Sequence, residues 1–357
     1  MIPETFFSPD YNTARERFRA AAQAAGAGLS ALELAARGAG GEPLATDIAW
    51  SGAADAERLV LHTSGLHGVE AYAGAAIQLA ALAGLVRPPA GCALVLVHVL
   101  NPYGMAWARR VNENNVDLNR NFLRPGAAWS GAAPLYAAID RVLNPASPPG
   151  FDWFLPAATV LVLRHGFQAL QQAVAEGQYT HPRGLFFGGA ELQPGARRYL
   201  DWLRRRCGRA RYVFALDVHT GLGRWGEPTL ILEPGVGVTA PGVLARALGS
   251  PLANPGQGEA AYVIRGSMGG FLPQALPGAR VDFVLQEFGT YPVLKVFRAL
   301  REENRWHHYG QGTPDHPVKR ALLEALCPAS PAWRKRVVER GVGLLRAAMA
   351  WTFRQAH

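Results

Sequence analysis

Four strongly apolar runs along the chain predict the central strands of a sheet. They cover residues 58–63, 93–100, 212–219 and 281–288. Their β-branched content and near-continuous apolar character are typical of strands that are buried on both faces. A further strand is predicted at 229–233, and the stretch 69–85, between the first two runs, is predicted to be helical. We therefore expect a β-α-β unit with parallel strands early in the sheet.

Helical patterns flank these strands near both ends of the chain. Residues 13–37 are rich in Ala, Leu, Glu and Arg and are predicted to form one or two helices that cover the sheet. Residues 331–355 repeat apolar positions at the spacing of a packed helix. Residues 123–210 alternate Pro- and Gly-rich turns with helical pieces, which indicates an insertion. We expect a single domain over 1–357, a three-layer α/β/α sandwich around a mixed, mostly parallel twisted sheet.

Composition restricts the classes of partner. A net charge of +9 would suit nucleic acid, but the arginines are scattered along the chain, so we interpret them as solvated surface. Three widely spaced cysteines indicate neither a disulfide framework nor a thiolate zinc site. No apolar run is long enough to cross a bilayer, and Glu4 and Asp10 do not fit a secretory signal. We expect a cytoplasmic protein with neither nucleic acid nor a membrane as partner.

The first cluster with metal-binding chemistry is His67 and Glu70, directly after the first predicted strand. Two ligands three residues apart can converge on one ion, and catalytic zinc takes three protein ligands. Taken alone, this spacing also fits a capping or surface pair. The best third ligand is His219, at the end of the third strand, although a lone histidine there is more often structural. Asp217, two residues earlier, either orients a ligand or makes a buried hydrogen bond.

The segment after the second predicted strand, residues 101–122, is the most specific local signal in the chain. Arg120 presents a rigid fork of donors that matches a carboxylate, and Asn119 can add a hydrogen bond, so the pair can bind an anionic substrate end. Arg110 can polarise a scissile carbonyl and stabilise its oxyanion. The alternative interpretation of these arginines is ordinary surface, which we keep for Arg109.

Glu287 ends the otherwise apolar fourth strand, at a place where an acidic side chain is rarely buried without a function. Beside a metal that lowers the pKa of water, such a carboxylate can take a proton and later pass it to a leaving nitrogen. Glu287 is therefore the candidate general base of a metal-dependent hydrolase.

Taken in order, HxxE, NPxG, DLNRNF, DxHT and a strand-end glutamate resemble the zinc carboxypeptidases of the carboxypeptidase A superfamily. The resemblance implies one zinc ion per chain, with His67, Glu70 and His219 as its ligands. It also implies that Arg110 is the carbonyl-polarising arginine and that Glu287 is the general base.

The same resemblance implies that Asn119 and Arg120 bind the substrate carboxylate. Tyr262 has the spacing of the family's mobile tyrosine and would close over the substrate, or it is a half-buried loop aromatic. Gly269 occupies the position that sets side-chain preference and offers neither a carboxylate nor an apolar floor. Residues 123–210 depart from the secreted digestive enzymes and resemble a bacterial branch catalogued as a domain of unknown function.

The function implied is a metallocarboxypeptidase that removes a C-terminal amino acid from a small peptide. An alternative is a zinc-dependent deacylase of N-acyl amino acids, similar to succinylglutamate desuccinylase and aspartoacylase. Those enzymes also show HxxE, a DLNR segment and a DLHT-like strand. An alternative of another class is a non-catalytic peptide-binding module that keeps the fold and the arginine-lined cleft. The presence of every catalytic residue type argues for an enzyme.

Overall fold

The computed structural model describes residues 3–233, 236–253, 263–313 and 315–354. The strands are β1 (Gly28–Arg37), β2 (Pro43–Gly52), β3 (Arg58–Ser64), β4 (Cys92–His98), β5 (Tyr212–Trp225), β6 (Pro228–Leu232), β7 (Leu252–Ala253) and β8 (Arg280–Gly289). The α-helices are α1 (Tyr11–Ala24), α2 (Ala71–Ala83), α3 (Pro102–Ala106), α4 (Pro134–Leu143), α5 (Phe154–His165), α6 (Phe167–Ala175), α7 (Pro194–Cys207), α8 (Pro241–Leu248), α9 (Met268–Ala275), α10 (Val293–Tyr309), α11 (Pro317–Leu326) and α12 (Pro331–Arg354). Short 3-10 turns lie at Pro3–Phe6, Gly68–Glu70 and Leu118–Arg120.

The strands of the described chain form one mixed sheet in the order β1-β2-β4-β3-β5-β8-β6-β7. Its centre, β4-β3-β5-β8, is parallel. Strands β1, β2 and β6 pair antiparallel with their neighbours toward the centre. The predicted β-α-β unit is confirmed, since α2 connects the parallel neighbours β3 and β4. The predicted strand positions agree with β3, β4, β5, β6 and β8 to within a few residues, except that β5 continues to Trp225.

Side chains that alternate along the central strands build a core on each face of the sheet. On one face, Leu61 of β3 and Phe283 of β8 belong to a buried cluster with residues of α7 and α9. On the other, Val60 and Phe214 belong to a cluster with residues of α1, α2, α8 and α12. Because helices cover both faces, the central strands can be apolar at nearly every position. The result is three layers, helix on sheet on helix.

The prediction for residues 13–37 is partly wrong. Helix α1 ends at Ala24, Gly26 adopts φ +70°, and Gly28–Arg37 forms the edge strand β1. The Ala- and Leu-rich composition favours a helix locally, but pairing with β2 and alternating exposure decide the outcome. Strand β2 had not been predicted either.

Helices α4 to α7 fill most of the segment predicted as an insertion, and the predicted helix near the C-terminus is confirmed as α12. Helix α4 is tied to the loop after α6, because the buried Tyr136 hydroxyl donates to the carbonyl oxygen of Leu185 at 2.7 Å. Among the helices of the described ranges, none is long and apolar enough to span a bilayer.

Candidate metal and active site

The loop that carries His67 and Glu70 is shaped by a close backbone approach. The chain leaves β3 and enters the 3-10 turn at Gly68. Gly68 packs against α3 so tightly that a Cβ on it would lie 2.2 Å from the Cα of Gly104. Any side chain at this position would push the two segments apart. Glycine therefore allows the loop with both candidate ligands to pack against α3.

Strand β5 supplies the third candidate ligand. His219 and Asp217 lie two residues apart on β5, so their side chains share one face. β3 and β5 are parallel neighbours, with Ser64 opposite Val218. The carboxyl end of β3 and His219 consequently lie at the same edge of the sheet, which is where ligands bind in open parallel sheets.

The three candidate ligands converge on one point. Nδ1 of His67 lies 3.0 Å from Oε1 of Glu70 and 3.1 Å from Nδ1 of His219. Nδ1 of His219 lies 3.3 Å from Oε2 of Glu70. All three side chains are buried, and among the described residues they form the group that could hold a metal ion. We call His67, Glu70 and His219 the metal group. Ligand atoms bound tetrahedrally to zinc are about 3.3 Å apart, so the spacing fits such an ion.

A buried carboxylate lies behind each imidazole. Nε2 of His67 is 3.0 Å from Oδ1 of Asp117, and Nε2 of His219 is 2.7 Å from Oδ2 of Asp217. Asp217 is itself held by the hydroxyl of Thr63, which donates to Oδ1 at 2.5 Å. A carboxylate accepts, so each Nε2 donates and each Nδ1 can offer its lone pair to the shared point. The facing atoms are then all electron-pair donors, which is the chemistry of a cation site.

The centre of this group attracts positive charge. Burial alone would raise the pKa of Glu70, but the charge of His67, hydrogen bonds from both imidazoles and the guanidinium of Arg110 lower it. Burial also opposes protonation of His219, yet Asp217 and Glu70 raise its pKa well above the ordinary value. A proton and a metal ion therefore compete for the same position between the imidazoles.

Arg110 contacts the metal group from the side. Its Nη1 donates to Oε1 of Glu70 at 2.9 Å, and its Nε donates to Oδ2 of Asp117 at 3.1 Å. Its guanidinium lies over the ring of Phe186, 5.3 Å from the centroid. Burial would raise the pKa of Asp117, but the charges of Arg110 and His67 hold it well below the usual range. Asp117, which was not among the predicted site residues, thus links the arginine to a candidate ligand.

Glu287 lies on β8, directly opposite His219 on β5. Its half-buried carboxylate lines the same cavity as the metal group, and its Oε1 accepts a hydrogen bond from the backbone amide of Leu222 at 2.9 Å. Burial and the charge of Glu70 raise the pKa of Glu287 to about 7. A carboxylate with this pKa can accept and return a proton near neutral pH.

Asn119 and Arg120 line the same cavity from the 3-10 turn that follows Asp117. Arg120 is buried, and its Nε and Nη2 donate to the carbonyl oxygen of Ala175 on α6 at 2.8 and 2.5 Å. Oδ1 of Asn119 accepts from the backbone amide of Met268 at 3.2 Å. These bonds fix both side chains at the cavity wall, and the helices after residue 123 take part in placing Arg120.

The remaining predicted positions have different outcomes. The surface interpretation of Arg109 is wrong, because its side chain is fully buried and its Nε donates to Oε1 of Glu303 at 2.9 Å. Tyr262 lies outside the described residues. Gly269 is buried in α9, where a Cβ would lie 2.5 Å from the ring of Phe283. The cavity does hold a further carboxylate, Glu233 after β6, which accepts from the hydroxyl of Ser267 at 2.5 Å and whose pKa is raised by burial. Its position after an apolar strand was a usable signal, the same one that indicated the candidate base.

These side chains share a single cavity of about 300 Å³. Its polar end holds the metal group together with Arg110, Arg120, Glu233 and Glu287. Most of its remaining wall is apolar and comes from α4, α5, α6 and α10. A concave, mostly apolar site with a few convergent polar groups is typical of a small-molecule binding site.

Comparison with protein families gives one match. A family model described as "Protein of unknown function (DUF2817)" matches residues 7–340. The match confirms the predicted resemblance to a branch catalogued as a domain of unknown function. No curated protein matches the sequence.

Several solved structures are similar to this chain. Bovine thrombin-activatable fibrinolysis inhibitor, solved in complex with tick carboxypeptidase inhibitor, is 11% identical over 98% of this chain and 98% of its own, with a TM-score of 0.54. Carboxypeptidase A from Helicoverpa armigera is 16% identical over 96% of this chain and 74% of its own, with a TM-score of 0.45. Murein-tripeptide amidase from Escherichia coli O157 is 19% identical over 78% of this chain and 92% of its own, with a TM-score of 0.39. The first similarity confirms the predicted α/β/α sandwich and is a similarity of fold.

Proposed function

Because the chain belongs to the family described as a protein of unknown function (DUF2817), its reaction has to be inferred from its site, and we propose that it is a zinc-dependent hydrolase of amide bonds. Its reaction is the removal of a C-terminal amino acid from a peptide. One observation carries the proposal: Nδ1 of His67, Nδ1 of His219 and the carboxylate of Glu70 meet at one point, and an aspartate holds each imidazole from behind. Burying such a group is costly unless a cation completes it.

Zinc suits this donor set, since two imidazoles and a carboxylate with one position left open are typical of its catalytic sites. His67, Glu70 and His219 would hold one ion per chain. When bound, the ion supplies a Lewis acid that polarises a carbonyl and lowers the pKa of water. Asp117 and Asp217 would keep the imidazoles in the tautomer that such an ion requires.

The side chains around the metal group supply the proton transfer and the charge stabilisation of hydrolysis. The reaction adds a hydroxyl group to the amide carbon, breaks the C–N bond and adds a proton to the nitrogen. Glu287 takes the proton from water and returns it to the departing nitrogen, and its carboxylate lines the same cavity as the metal group. Arg110 stabilises the negative charge that develops on the carbonyl oxygen.

Asn119 and Arg120 select a substrate with a carboxylate next to the scissile amide. Since Nε and Nη2 of Arg120 donate to the carbonyl oxygen of Ala175, its guanidinium attracts the substrate carboxylate through its charge, and the asparagine amide adds a hydrogen bond. We also propose that residues 1–357 act as one catalytic domain, in which the insertion at about 123–210 shapes the cavity. The bond from Arg120 to the carbonyl of Ala175 and the position of Phe186 beside Arg110 support this assignment.

Deacylation of N-acyl amino acids is the second candidate function. It is favoured by the apolar wall that α4, α5 and α6 contribute to the cavity. Helices satisfy their own backbone groups, so this wall offers few partners for the amides of a peptide, whereas an acyl chain needs none. In both reactions the bond cleaved is an amide beside a carboxylate.

The test combines metal analysis with a substrate panel. Zinc-loaded protein is incubated with peptides whose C-termini are free or amidated, and with N-acyl amino acids. We expect about one zinc per chain and hydrolysis that requires the free carboxylate. His67→Ala and His219→Ala should lose both metal and turnover, while the exposed His165→Ala keeps both. Protein that binds no divalent metal at this cavity would refute the proposal and favour the peptide-binding module.

A further inference from the structure

The cavity beside the candidate metal group is larger and more apolar than the chemistry of an amide bond requires. Its volume of about 300 Å³ is roughly twice that of an engineered apolar cavity that binds benzene. Beyond the polar end, its wall is built by aliphatic and aromatic side chains of four helices. Those that define it best are Leu143, Ala158, Leu161, Leu170, Val174 and Phe297. We call this part of the cavity the apolar chamber.

Helix α5 is apolar on the chamber side and on the solvent side. Leu161 faces the chamber, whereas Val160 and Leu163 on the outer side of α5 are 61% and 82% exposed. A helix at the surface of a protein normally carries polar residues on its outer face. The apolar side chains on the chamber side of α5 indicate that the ligand is itself apolar.

The polar end of the cavity restricts which part of a substrate can occupy the chamber. In an amide beside a carboxylate, the carboxylate belongs to the amine side, and Arg120 is placed to bind it. The acyl side is then the part left to fill the chamber. A peptide there would leave backbone amides unpaired, because the surrounding helices satisfy their own groups. A hydrocarbon chain has no such groups and gains free energy with every methylene that is buried.

We propose that the apolar chamber binds a linear hydrocarbon chain and that the substrates are amides of long-chain fatty acids with amino acids. The amide chemistry rests on the proposed hydrolase, and this substrate class is that of its second candidate function, deacylation of N-acyl amino acids, rather than of peptide cleavage. Binding of the chain does not, because it depends only on the chamber wall. The two can therefore be tested separately.

The binding test uses the linear carboxylates butanoate, hexanoate, octanoate and decanoate, each below its micelle concentration, titrated into zinc-loaded protein by calorimetry. Because the head group is constant, differences in Kd report the chain alone. We expect Kd to fall by about fourfold for each added methylene. An affinity that does not change with chain length would overturn the proposal, whatever the enzymatic activity of the protein.

Two neighbouring alanines on α5 give a matched pair of variants. Ala158 lines the chamber, whereas Ala157, equally half-buried, is not part of its wall. Ala158→Trp should fill the chamber and remove most of the gain in affinity between hexanoate and decanoate. Ala157→Trp should show the same dependence of Kd on chain length as the wild type. Circular dichroism checks that both variants fold. If Ala158→Trp does not fold, Leu161→Gln provides the same test by making the wall polar.

Hydrolysis of N-acetyl and N-decanoyl amino acids then tests the substrate class. We expect kcat/KM to be at least about 100-fold higher for the decanoyl compounds, since the transition state keeps the buried chain. Equal values for the two acyl groups overturn the assignment to long-chain substrates and leave the amide hydrolase in place. Chain-dependent binding without hydrolysis of any amide instead refutes the proposed function and leaves the chamber as a hydrocarbon-binding site.

Discussion

Asp217 lies directly behind His219, two residues earlier on β5, with its Oδ2 2.7 Å from Nε2 of the imidazole. The bond fixes which nitrogen carries the proton and holds the ring in place. Asp217→Asn removes the charge and can present an N–H to the same nitrogen. We expect zinc affinity to fall by about 10- to 100-fold, measured by competition with a chromophoric chelator.

Asp282 provides the control for this substitution. It is also a buried aspartate on a central strand, but its carboxylate accepts from the hydroxyl of Tyr212 at 2.7 Å and contacts neither imidazole. Asp282→Asn should leave zinc affinity near that of the wild type, even where stability falls. Equal losses of affinity in both variants would mean that any buried aspartate has this effect, and the orienting role of Asp217 would be wrong.

Glu70 and Glu287 should respond oppositely to the same substitution. Glu70→Gln removes a charged ligand, so we expect loss of zinc. Glu287→Gln keeps the shape of the cavity and removes the proton acceptor. It should retain about one zinc per chain and lose at least about 100-fold in kcat. Metal analysis and steady-state kinetics on both variants decide the assignment, and a fully active Glu287→Gln enzyme would require another base.

The carboxylate requirement should depend on how Arg120 is held at the cavity wall. Lysine keeps the charge but cannot make the two hydrogen bonds by which Nε and Nη2 of Arg120 hold the carbonyl oxygen of Ala175, so its charge is no longer fixed there. Arg120→Lys should raise KM for substrates with a free carboxylate by about tenfold or more. The ratio of kcat/KM between free and amidated substrates should fall accordingly. The exposed Arg124→Lys is the control and should keep the wild-type preference. An unchanged preference in Arg120→Lys would place the carboxylate elsewhere in the cavity.

Much of the site could be predicted because its signals are local. His67 and Glu70 follow an apolar strand, His219 ends another, and parallel strands bring their carboxyl ends to one edge. The partner of His67 could not be predicted in this way. Asp117 is 50 residues away, and only the packing of two loops brings it within hydrogen-bond distance. The apolar chamber is similarly a product of tertiary packing, since α10 joins helices more than 100 residues earlier in the chain.

The error at β1 has a related cause. Residues Gly28–Arg37 contain the alanines and leucines that favour a helix in isolation, and that preference led to the helical prediction. The register of the strand, with Ala31 opposite Asp47 and Leu29 opposite Ala49, depends on β2. Local composition carries no information about that partner, so the extended conformation could be recognised only from the assembled sheet.

Two buried histidines on the central strands β3 and β4 should make the fold sensitive to acid. His62 and His98 are both fully buried on either side of Gln78, with His98 Nδ1 3.2 Å from its amide oxygen. His98 also stacks on Phe18, with ring centroids 4.4 Å apart. Burial lowers the pKa of His62 to about 4 and that of His98 to about 3. Both rings are therefore neutral in the folded protein at any pH above these values.

The sign of the effect follows from proton binding. Between pH 6.5 and about 4, a histidine in the unfolded chain is protonated while these two in the folded chain are not, so the free energy of unfolding falls as pH falls. Each contributes about 1.4 kcal/mol per pH unit in this window. His98→Asn retains a donor near Nδ1 and does not titrate, so denaturant unfolding of metal-free protein should show a pH slope smaller by about one proton. The exposed His165→Asn should keep the wild-type slope, and equal slopes for all three proteins would show that His98 is already charged in the folded state.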